Sequence, residues 1–181
     1  VAPETSLLSV SVPLGIQLNT QPQGDLTNAA LLAVGPGENL NLIGSQVSTN
    51  VLLSAPEGTA QVWGDQVELV DREAPLSNNP TADTEVIFWA ADDIIIPDVE
   101  DNELRFLDGA GGIQWIADAN SDGVGDLVMR DGQDSLRANG RDLTISGVDI
   151  ILGEIDTSSS EDAGDGGSIT ISSISGDIST Q

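Results

Sequence analysis

The sequence contains no cysteine, histidine, tyrosine or lysine, and its five basic residues are all arginine. Without cysteine there is neither a disulfide framework nor a thiolate metal site. Without histidine or cysteine, a Ser–His or Cys–His nucleophile is excluded. Against the five arginines stand 30 aspartates and glutamates, so the net charge is -25. Because such a field repels phosphates and anionic lipids, we expect no nucleic acid partner, whereas divalent cations are attracted.

Long hydrophobic runs are also missing, and no stretch approaches the roughly 18 apolar residues of a membrane helix. We therefore expect no membrane insertion. The first residues show neither the basic nor the apolar region of a secretory signal, so we expect any export signal to lie outside this sequence. No window carries an apolar stripe with the 3.6-residue period of a helix, which predicts little or no helix.

The residues that are abundant favour strands and turns. Hydrophobic residues make up 39% of the chain, which is too many for a disordered acidic tail. Val, Ile, Leu and Thr suit strands, whereas Gly, Asn, Asp and Ser suit the turns between them.

Two neighbouring stretches of the chain are near copies of each other. Residues 31–37 match residues 52–58 at a shift of 21 positions, and residues 42–47 match residues 62–67 at a shift of 20. A period of about 20 residues, with short apolar alternations between Gly, Pro and Asn, is typical of one turn of a solenoid. Each copy is too short to bury its own apolar side, but stacked copies bury a continuous one.

The repeat therefore predicts an all-β fold, a parallel β-helix (β-solenoid) with protruding loops. At about 20 to 23 residues per turn the chain makes roughly eight turns, and about 4.8 Å per stacked strand gives a rod about 40 Å long. We expect one domain over residues 1–181, with regular repeats in 1–70, a loop in 71–84 and further turns in 85–181. Residues 153–157 recur as 176–180, a shift of 23 that fits the same period.

The last residues, 168–181, still alternate in strand register, and no amphipathic capping helix follows them. An unpaired ladder of backbone groups invites pairing with another strand. We expect either that the chain is cut from a longer rod or that its ends pair with other copies. The second case would give a head-to-tail filament, since a heterologous contact need not close.

Several segments of the chain resemble the filamentous-haemagglutinin-like exoproteins of two-partner secretion. The resemblance lies in residues 10–17, 31–46, 53–58, 116–126, 142–147, 153–158 and 166–171. These segments are distributed along most of the length of the chain, from residue 10 to residue 171, and they are rich in Gly, Asn and Ser. The resemblance implies a right-handed parallel β-helix, export to the extracellular space or cell surface, and a role in adhesion or in a matrix.

The sharpest local motif is the loop 118–126, which alternates oxygen-bearing residues with others and turns at glycines. Oxygen ligands at alternate positions suit a hard cation such as Ca²⁺. The ligands would be the side chains of Asp118, Asn120, Asp122 and Asp126 and the backbone carbonyl of Val124. The twelfth position is Met129, so the bidentate glutamate of an EF-hand is missing. An Asp/Asn/Gly corner that needs no ion is an equal alternative, because these residues favour turns in any case.

The strand alternation leaves an unusual number of large apolar residues facing outward. If residues 86, 88, 90, 94 and 96 face inward, the neighbouring positions face the solvent. The apolar residues that we then expect outside are Ile87, Trp89, Ile95, Leu107, Ile116, Val128 and Ile151. A contiguous exposed patch of this kind predicts a partner or self-association. The alternatives are that the loop after residue 70 covers it, that a bend alters the facing, or that Trp89 is a sugar-stacking platform.

Carboxylates and arginines give two further hypotheses. Clustered carboxylates at Asp92–Asp93 and Asp98–Asp101 would fit a polysaccharide hydrolase, but adjacent strand residues point to opposite faces, which favours solvated corners. Arg130, Arg137 and Arg141 lie among aspartates, and we expect them to form exposed ion pairs with neighbouring turns.

The leading interpretation is a non-catalytic, extracellular structural or adhesive β-helix segment of a secreted adhesin-like or matrix protein, with Ca²⁺ as a candidate cofactor. Its partner would be a cell-surface or matrix glycan or protein. The first alternative is a self-assembling extracellular filament subunit. The second, a glycan-binding or polysaccharide-cleaving β-helix, rests on analogy of fold alone.

Overall fold

The computed structural model describes residues 24–70, 84–99, 103–106, 110–159 and 165–181. These residues form eighteen short strands, and the described ranges contain no helix. The strands are β1 Leu26–Asn28, β2 Leu32–Ala33, β3 Leu40–Ile43, β4 Gln46–Thr49, β5 Leu53–Ser54, β6 Thr59–Gly64, β7 Gln66–Leu69, β8 Glu85–Ala90, β9 Ile94–Ile96, β10 Glu103–Arg105, β11 Ile113–Ile116, β12 Leu127–Met129, β13 Ser135–Arg137, β14 Leu143–Gly147, β15 Ile150–Leu152, β16 Glu154–Asp156, β17 Ile169–Ser173 and β18 Ile178–Thr180.

The strands form long parallel sheets that the chain visits in rotation. Sheet 1 has seven strands in the order β1-β4-β7-β9-β12-β15-β18. Sheet 2 consists of β10-β13-β16, and the pair β2-β5 takes the corresponding place earlier in the chain. Sheet 3 has six strands in the order β17-β14-β11-β8-β6-β3. The protein is thus all-β with stacked parallel sheets, as expected, and this arrangement is consistent with a β-solenoid.

The near-copies in the sequence predict the observed register. Leu32 pairs with Leu53 at the shift of 21, and Leu42 pairs with Val62 at the shift of 20. Some later turns are longer than expected, because loops are inserted between strands: Ile94 of β9 pairs with Leu127 of β12, 33 positions on, whereas Leu127 pairs with Ile150 at the expected 23.

The second internal match does not correspond to stacked strands. Ile155 lies in β16 of sheet 2, whereas Ile178, its counterpart in the match, lies in β18 of sheet 1 and pairs with Ile150. Strands on different sides of the stack carry the same short pattern of alternating apolar residues. A five-residue match therefore identifies a strand but not the sheet to which it belongs.

One continuous cluster of buried apolar side chains runs between the sheets. The inward column of sheet 1 contains Val47, Val67, Ile94, Leu127 and Ile150, all at most 1% exposed. Each such side chain contributes about 1.5–3 kcal/mol through burial. The expected inward residues 86, 88, 90, 94 and 96 are all fully buried, which confirms the facing in β8 and β9.

The arginines behave differently from one another. Arg137 forms ion pairs with Glu103 and Asp156 on the neighbouring strands of sheet 2, as expected. Arg141 is not on the surface: it is 1% exposed, and its guanidinium donates to the backbone carbonyls of Thr84 and Gly111. The expectation of an exposed pair was wrong for Arg141, because a buried corner with unsatisfied carbonyls accepts a five-donor cation.

Inward positions of the last described turn are open to solvent. Ile169 and Ile178 are 44% and 49% exposed, although they continue columns whose earlier members are buried.

Within the described ranges no helix is long and apolar enough to cross a membrane. The expectations for residues 1–23 and for the loop after residue 70 fall largely outside the described residues, as do those for Leu107 and for Glu100–Asp101.

Candidate functional site

A column of aspartates marks the corner where the chain enters sheet 1. Asp93, Asp126, Asp149 and Asp177 each precede a strand of that sheet, in successive turns. Oδ1 of each of the first three carboxylates accepts the backbone N–H of the next aspartate: 2.9 Å from Asp126 to Asp93, 3.0 Å from Asp149 to Asp126 and 2.7 Å from Asp177 to Asp149. We call these four residues the aspartate ladder. Its hydrogen bonds tie neighbouring turns together at the corner.

Four carboxylates at the same corner of the middle turns lie close enough to interact electrostatically: Asp65, Asp92, Asp93 and Asp122, here called the acidic corner. The backbone N–H of Asp92 donates to the carbonyl of Asp65 at 2.7 Å, so the two residues lie on adjacent turns. Although Asp92 as a whole is exposed, desolvation is the main cause that raises the pKa of its carboxyl, and the charges of the other three carboxylates add to this. Repulsion of this kind makes the corner receptive to cations.

The loop 118–126 is held by its own hydrogen bonds. The buried carboxylate of Asp118 accepts the backbone N–H groups of Asp122 and Gly123. Asn120 accepts from the Asp122 N–H through Oδ1 and donates from Nδ2 to the Asp122 carboxylate. Val124 is 61% exposed. The predicted calcium ligands therefore lie in one loop, but their side-chain oxygens are also engaged in turn hydrogen bonds.

Gly125 is the residue on which this loop depends sterically. Its φ of 147° is a backbone conformation that side-chain-bearing residues rarely adopt. A Cβ at this position would collide with the Asp118 backbone nitrogen and the Asp92 carbonyl oxygen. The loop thus packs directly against the preceding turn of the chain, at the acidic corner.

A second carboxylate cluster lies at the opposite end of the sheet 1 strands. One oxygen each from Asp98, Asp131 and Asp134 lie within 4.8 Å of one another, and these residues are exposed, half-buried and buried, respectively. Within the described residues this is the one group of three or more acidic side chains that meets this geometry, so the carboxylates of the loop 118–126 do not converge in the same way. Hard cations prefer such oxygen ligands.

Sequence reasoning missed this second cluster, although a signal was present. Ile96 pairs with Met129, and Asp98 and Asp131 each follow those residues by two positions. Aligning β9 with β12 would therefore have placed the two carboxylates on adjacent turns. Aligning the residues that immediately precede β9, β12, β15 and β18 would likewise have identified the aspartate ladder.

Large apolar residues form a column on the outer side of sheet 3. Ile43 pairs with Trp63, Trp63 with Trp89, and Trp89 with Ile116, so the four residues, here called the apolar strip, occupy one register position in four adjacent strands. Ile43 is 39% exposed and the other three are half-buried. The rings of Trp63 and Trp89 pack edge to face, with their centroids 5.3 Å apart. Ser146 continues the column in β14 and ends its apolar part.

The other expected outward residues are less exposed than anticipated. Ile87 and Ile95 lie outside the buried core cluster, as their alternation requires, yet they are only 7% and 9% exposed. Long side chains at the same register position on the adjacent strands, such as Gln61 and Gln114 beside Ile87, can cover such positions. Val128 and Ile151 follow Ile95 in the outward column of sheet 1, and both are half-buried.

The first turns of sheet 1 carry a shallow polar groove with a volume of about 180 Å³. Hydroxyl, amide and carboxylate side chains predominate in its lining, which consists of Asp25, Leu26, Thr27, Gln46, Val47, Ser48, Gln66 and Glu68. Such groups are partners for hydroxyl-rich ligands.

Comparisons with protein-family models, with curated proteins and with solved structures found no match for this chain.

Proposed function

We propose that this protein is an extracellular, non-catalytic rod that presents its flat faces to a cell surface or a matrix. In this proposal the stacked sheets are a right-handed parallel β-helix of roughly eight turns that forms one domain. The resemblance to filamentous-haemagglutinin-like exoproteins supports the handedness, the export and the adhesive role.

The observation that carries the proposal is the apolar strip. A strongly acidic chain places Trp63 and Trp89 side by side on an outer sheet face, where polar residues would be better solvated. Outward positions elsewhere on the same sheet hold residues such as Asn41, Gln114 and Thr144. Partner binding explains why this column differs from its neighbours.

Adhesion can be tested directly with purified protein. Labelled wild-type protein should bind to cells or to extracellular matrix coated on a plate, in a saturable manner, and unlabelled protein should compete for the sites. The double variant Trp63→Ser/Trp89→Ser should lose most of this binding while keeping its melting temperature within a few degrees. Absence of saturable binding to every surface tested would refute the adhesive role.

We further propose that Ca²⁺ binds the loop 118–126, through Asp118, Asn120, Asp122, Asp126 and the Val124 carbonyl, and stabilises it. The alternation of oxygen ligands supports this assignment, and the charge of the acidic corner favours cation binding there. Binding requires some of the turn hydrogen bonds in the loop to be exchanged for metal ligation, so we expect modest affinity.

The calcium assignment predicts that millimolar CaCl₂ raises the melting temperature of the wild-type protein by a few degrees more than MgCl₂ does. Asp122→Asn should abolish this difference, whereas Asp131→Asn, in the second carboxylate cluster, should preserve it. The reverse pattern would move the ion to the cluster of Asp98, Asp131 and Asp134. Equal shifts with both salts would leave screening as the explanation.

The polar groove favours a second candidate, a glycan-binding module. Its hydroxyl and amide lining could hydrogen-bond sugar hydroxyls, and it lies on a different sheet from the apolar strip. Glycan-array binding that is lost in Gln46→Ala/Gln66→Ala and retained in the tryptophan variants would select this candidate.

The exposed isoleucines of β17 and β18 favour a third, a subunit that stacks end to end. Another strand layer, whatever its source, would cover Ile169 and Ile178. Electron micrographs of the concentrated protein that show filaments would support this candidate, and a monodisperse monomer would exclude self-stacking under those conditions.

A further inference from the structure

The apolar strip and the acidic corner are neighbours along the chain and across the turns. Asp65 follows Trp63 by two residues, and Asp92 follows Trp89 by three, so each tryptophan leads directly into a carboxylate of the corner. Ser45 on the preceding turn donates from Oγ to the Asp65 carboxylate at 2.8 Å, which fixes one edge of the corner. On each of two adjacent turns, a tryptophan of the strip is therefore followed within three residues by a carboxylate of the corner.

No ion pair among the described residues involves a carboxylate of the corner. The three ion pairs among the described residues join Arg105 and Arg137 to Glu103 and Asp156, all on sheet 2. The chain has only five arginines and a net charge of -25. A second copy of the protein would bring the same negative charge to the contact, so electrostatics opposes self-association through this surface. The charge instead complements a cationic partner.

The tryptophan pair is also suited to a cation. An indole ring attracts an ammonium or guanidinium group placed over its face, and carboxylates nearby strengthen the attraction. Because the two rings meet edge to face, they present two inclined surfaces rather than one flat platform. A flat platform would suit a stacked sugar ring, whereas inclined rings beside carboxylates suit the side of a basic side chain.

We propose that the apolar strip and the acidic corner form one docking surface for a cationic peptide segment of a partner protein. The basic side chains of that segment lie against the Trp63–Trp89 pair and form ion pairs with the carboxylates of the corner. Aliphatic parts of the same side chains cover Ile43 and Ile116. This inference rests on the adhesive role proposed above, whose partner it names by chemistry.

The test uses a fluorescein-labelled decapeptide of arginine and measures its anisotropy as the protein is added. The wild-type protein should bind at low salt and weaken steeply as NaCl is raised. Asp65→Asn/Asp92→Asn should weaken binding about tenfold and flatten the salt dependence. Trp63→Ser and Trp89→Ser should each weaken it about threefold with little change in the salt dependence.

A second measurement uses the protein's own fluorescence. Unlabelled peptide should perturb the tryptophan emission of the wild-type protein, because Trp63 and Trp89 are partly exposed and only Trp115 is fully buried.

Matched controls separate a docking surface from diffuse charge attraction. Glu154→Gln/Asp165→Asn removes two exposed carboxylates away from the strip, and Leu31→Ser removes an exposed apolar side chain that lies outside the strip. Both controls should bind the peptide within about twofold of the wild-type protein, and every variant should keep a single cooperative melting transition within a few degrees of the wild-type one. Losses in the controls as large as those in the strip variants, or no binding at low salt, would overturn the inference. Should a tryptophan variant fail to fold, the aspartate pair and its control decide the question.

The two proposals can fail separately. If the protein adheres to a surface and the strip and corner variants adhere equally well, the adhesive role stands and the docking surface is refuted. If the peptide binds at the strip but no surface is bound, the adhesive role falls. Binding to a neutral glycan but not to the peptide would overturn the inference in favour of the polar groove.

Discussion

At the scale of single residues, Asp92 carries a charge that the fold disfavours. Its pKa is raised by desolvation and by the carboxylates of Asp65, Asp93 and Asp122. A raised carboxyl pKa means that the folded state disfavours the charged form. The resulting loss of stability is absent below the ordinary pKa of 3.8 and develops as the pH rises through the folded-state value.

The variant Asp92→Asn should therefore be more stable than the wild-type protein at pH 7. Because the site is largely exposed, we expect a gain of under about 1 kcal/mol, or about 1–3 °C in melting temperature. The gain should vanish near pH 3 and shrink in high salt. Differential scanning calorimetry at several pH values measures it. Asp165→Asn, at an exposed position outside both carboxylate clusters, is the control, and a gain that did not depend on pH would contradict the electrostatic explanation.

Gly125 is the residue whose replacement should damage the loop 118–126 most. Gly125→Ala combines an unfavourable φ with a collision against the backbone of Asp118 and Asp92. We expect a loss of about 2–4 kcal/mol. Gly123→Ala is the control, because its φ is also positive but no atom lies near the added Cβ. That change should cost about 1–2 kcal/mol. Equal losses in thermal denaturation would show that conformational strain alone, and not the close approach, determines the cost.

At the scale of strands and corners, the aspartate ladder ties each turn to the next. Asp149 accepts the backbone N–H of Asp177, just before β18, at 2.7 Å. Replacing Asp149 by alanine removes this acceptor, which we expect to cost about 0.5–1.5 kcal/mol of local stability. Amide hydrogen exchange at Asp177 should accelerate in Asp149→Ala.

The matched variant is Asp149→Asn, which removes the charge but keeps an oxygen that can accept the same N–H. Exchange at Asp177 should stay close to the wild-type rate in this variant. If both variants accelerated exchange equally, the charge of Asp149 rather than its hydrogen bond would be responsible.

The elements also show how far the sequence predicts this fold. The period of the copies around Leu42 and Val62 predicts both the parallel pairing and its register. A shift of one residue along the strand would turn its apolar side chains towards the solvent, so only the register that keeps them inside is stable. The burial of Phe88 and Trp115 follows from the same alternation. The sheet to which β18 belongs could not be predicted, since the apolar pattern of a three-residue strand is the same on every side of the stack.

The candidate sites were predictable to different degrees. Outward Trp89 and Ile116 follow from alternation, but their alignment with Trp63 requires the register across loops of unequal length. The burial of Arg141 depends on carbonyls of residues about 30 and 57 positions earlier in the chain, Gly111 and Thr84. No local pattern in the sequence encodes a contact of that kind.

At the scale of the whole molecule, the charge of -25 opposes compaction in every turn. Stacking repeats at about 4.8 Å brings carboxylates of successive turns close together, as in the aspartate ladder and the acidic corner. The hydrophobic column inside must offset this repulsion. Screening of the charges should therefore stabilise the fold more than it does in a protein of balanced charge.

We predict that the melting temperature rises by several degrees between about 0.01 and 0.15 M NaCl, the range over which the screening length falls from about 30 Å to about 8 Å. Most of the rise should disappear at pH 3.5, where many carboxylates are protonated in both states. Calorimetry or circular dichroism in matched buffers measures the effect, and Na₂SO₄ at equal ionic strength checks for specific ion effects. A melting temperature that is independent of NaCl at pH 7 would mean that the carboxylates are already neutralised, either by bound cations or by contacts outside the described residues. Dialysis against a chelator followed by the same salt series would then separate these two explanations, because only the removal of bound cations restores the salt dependence.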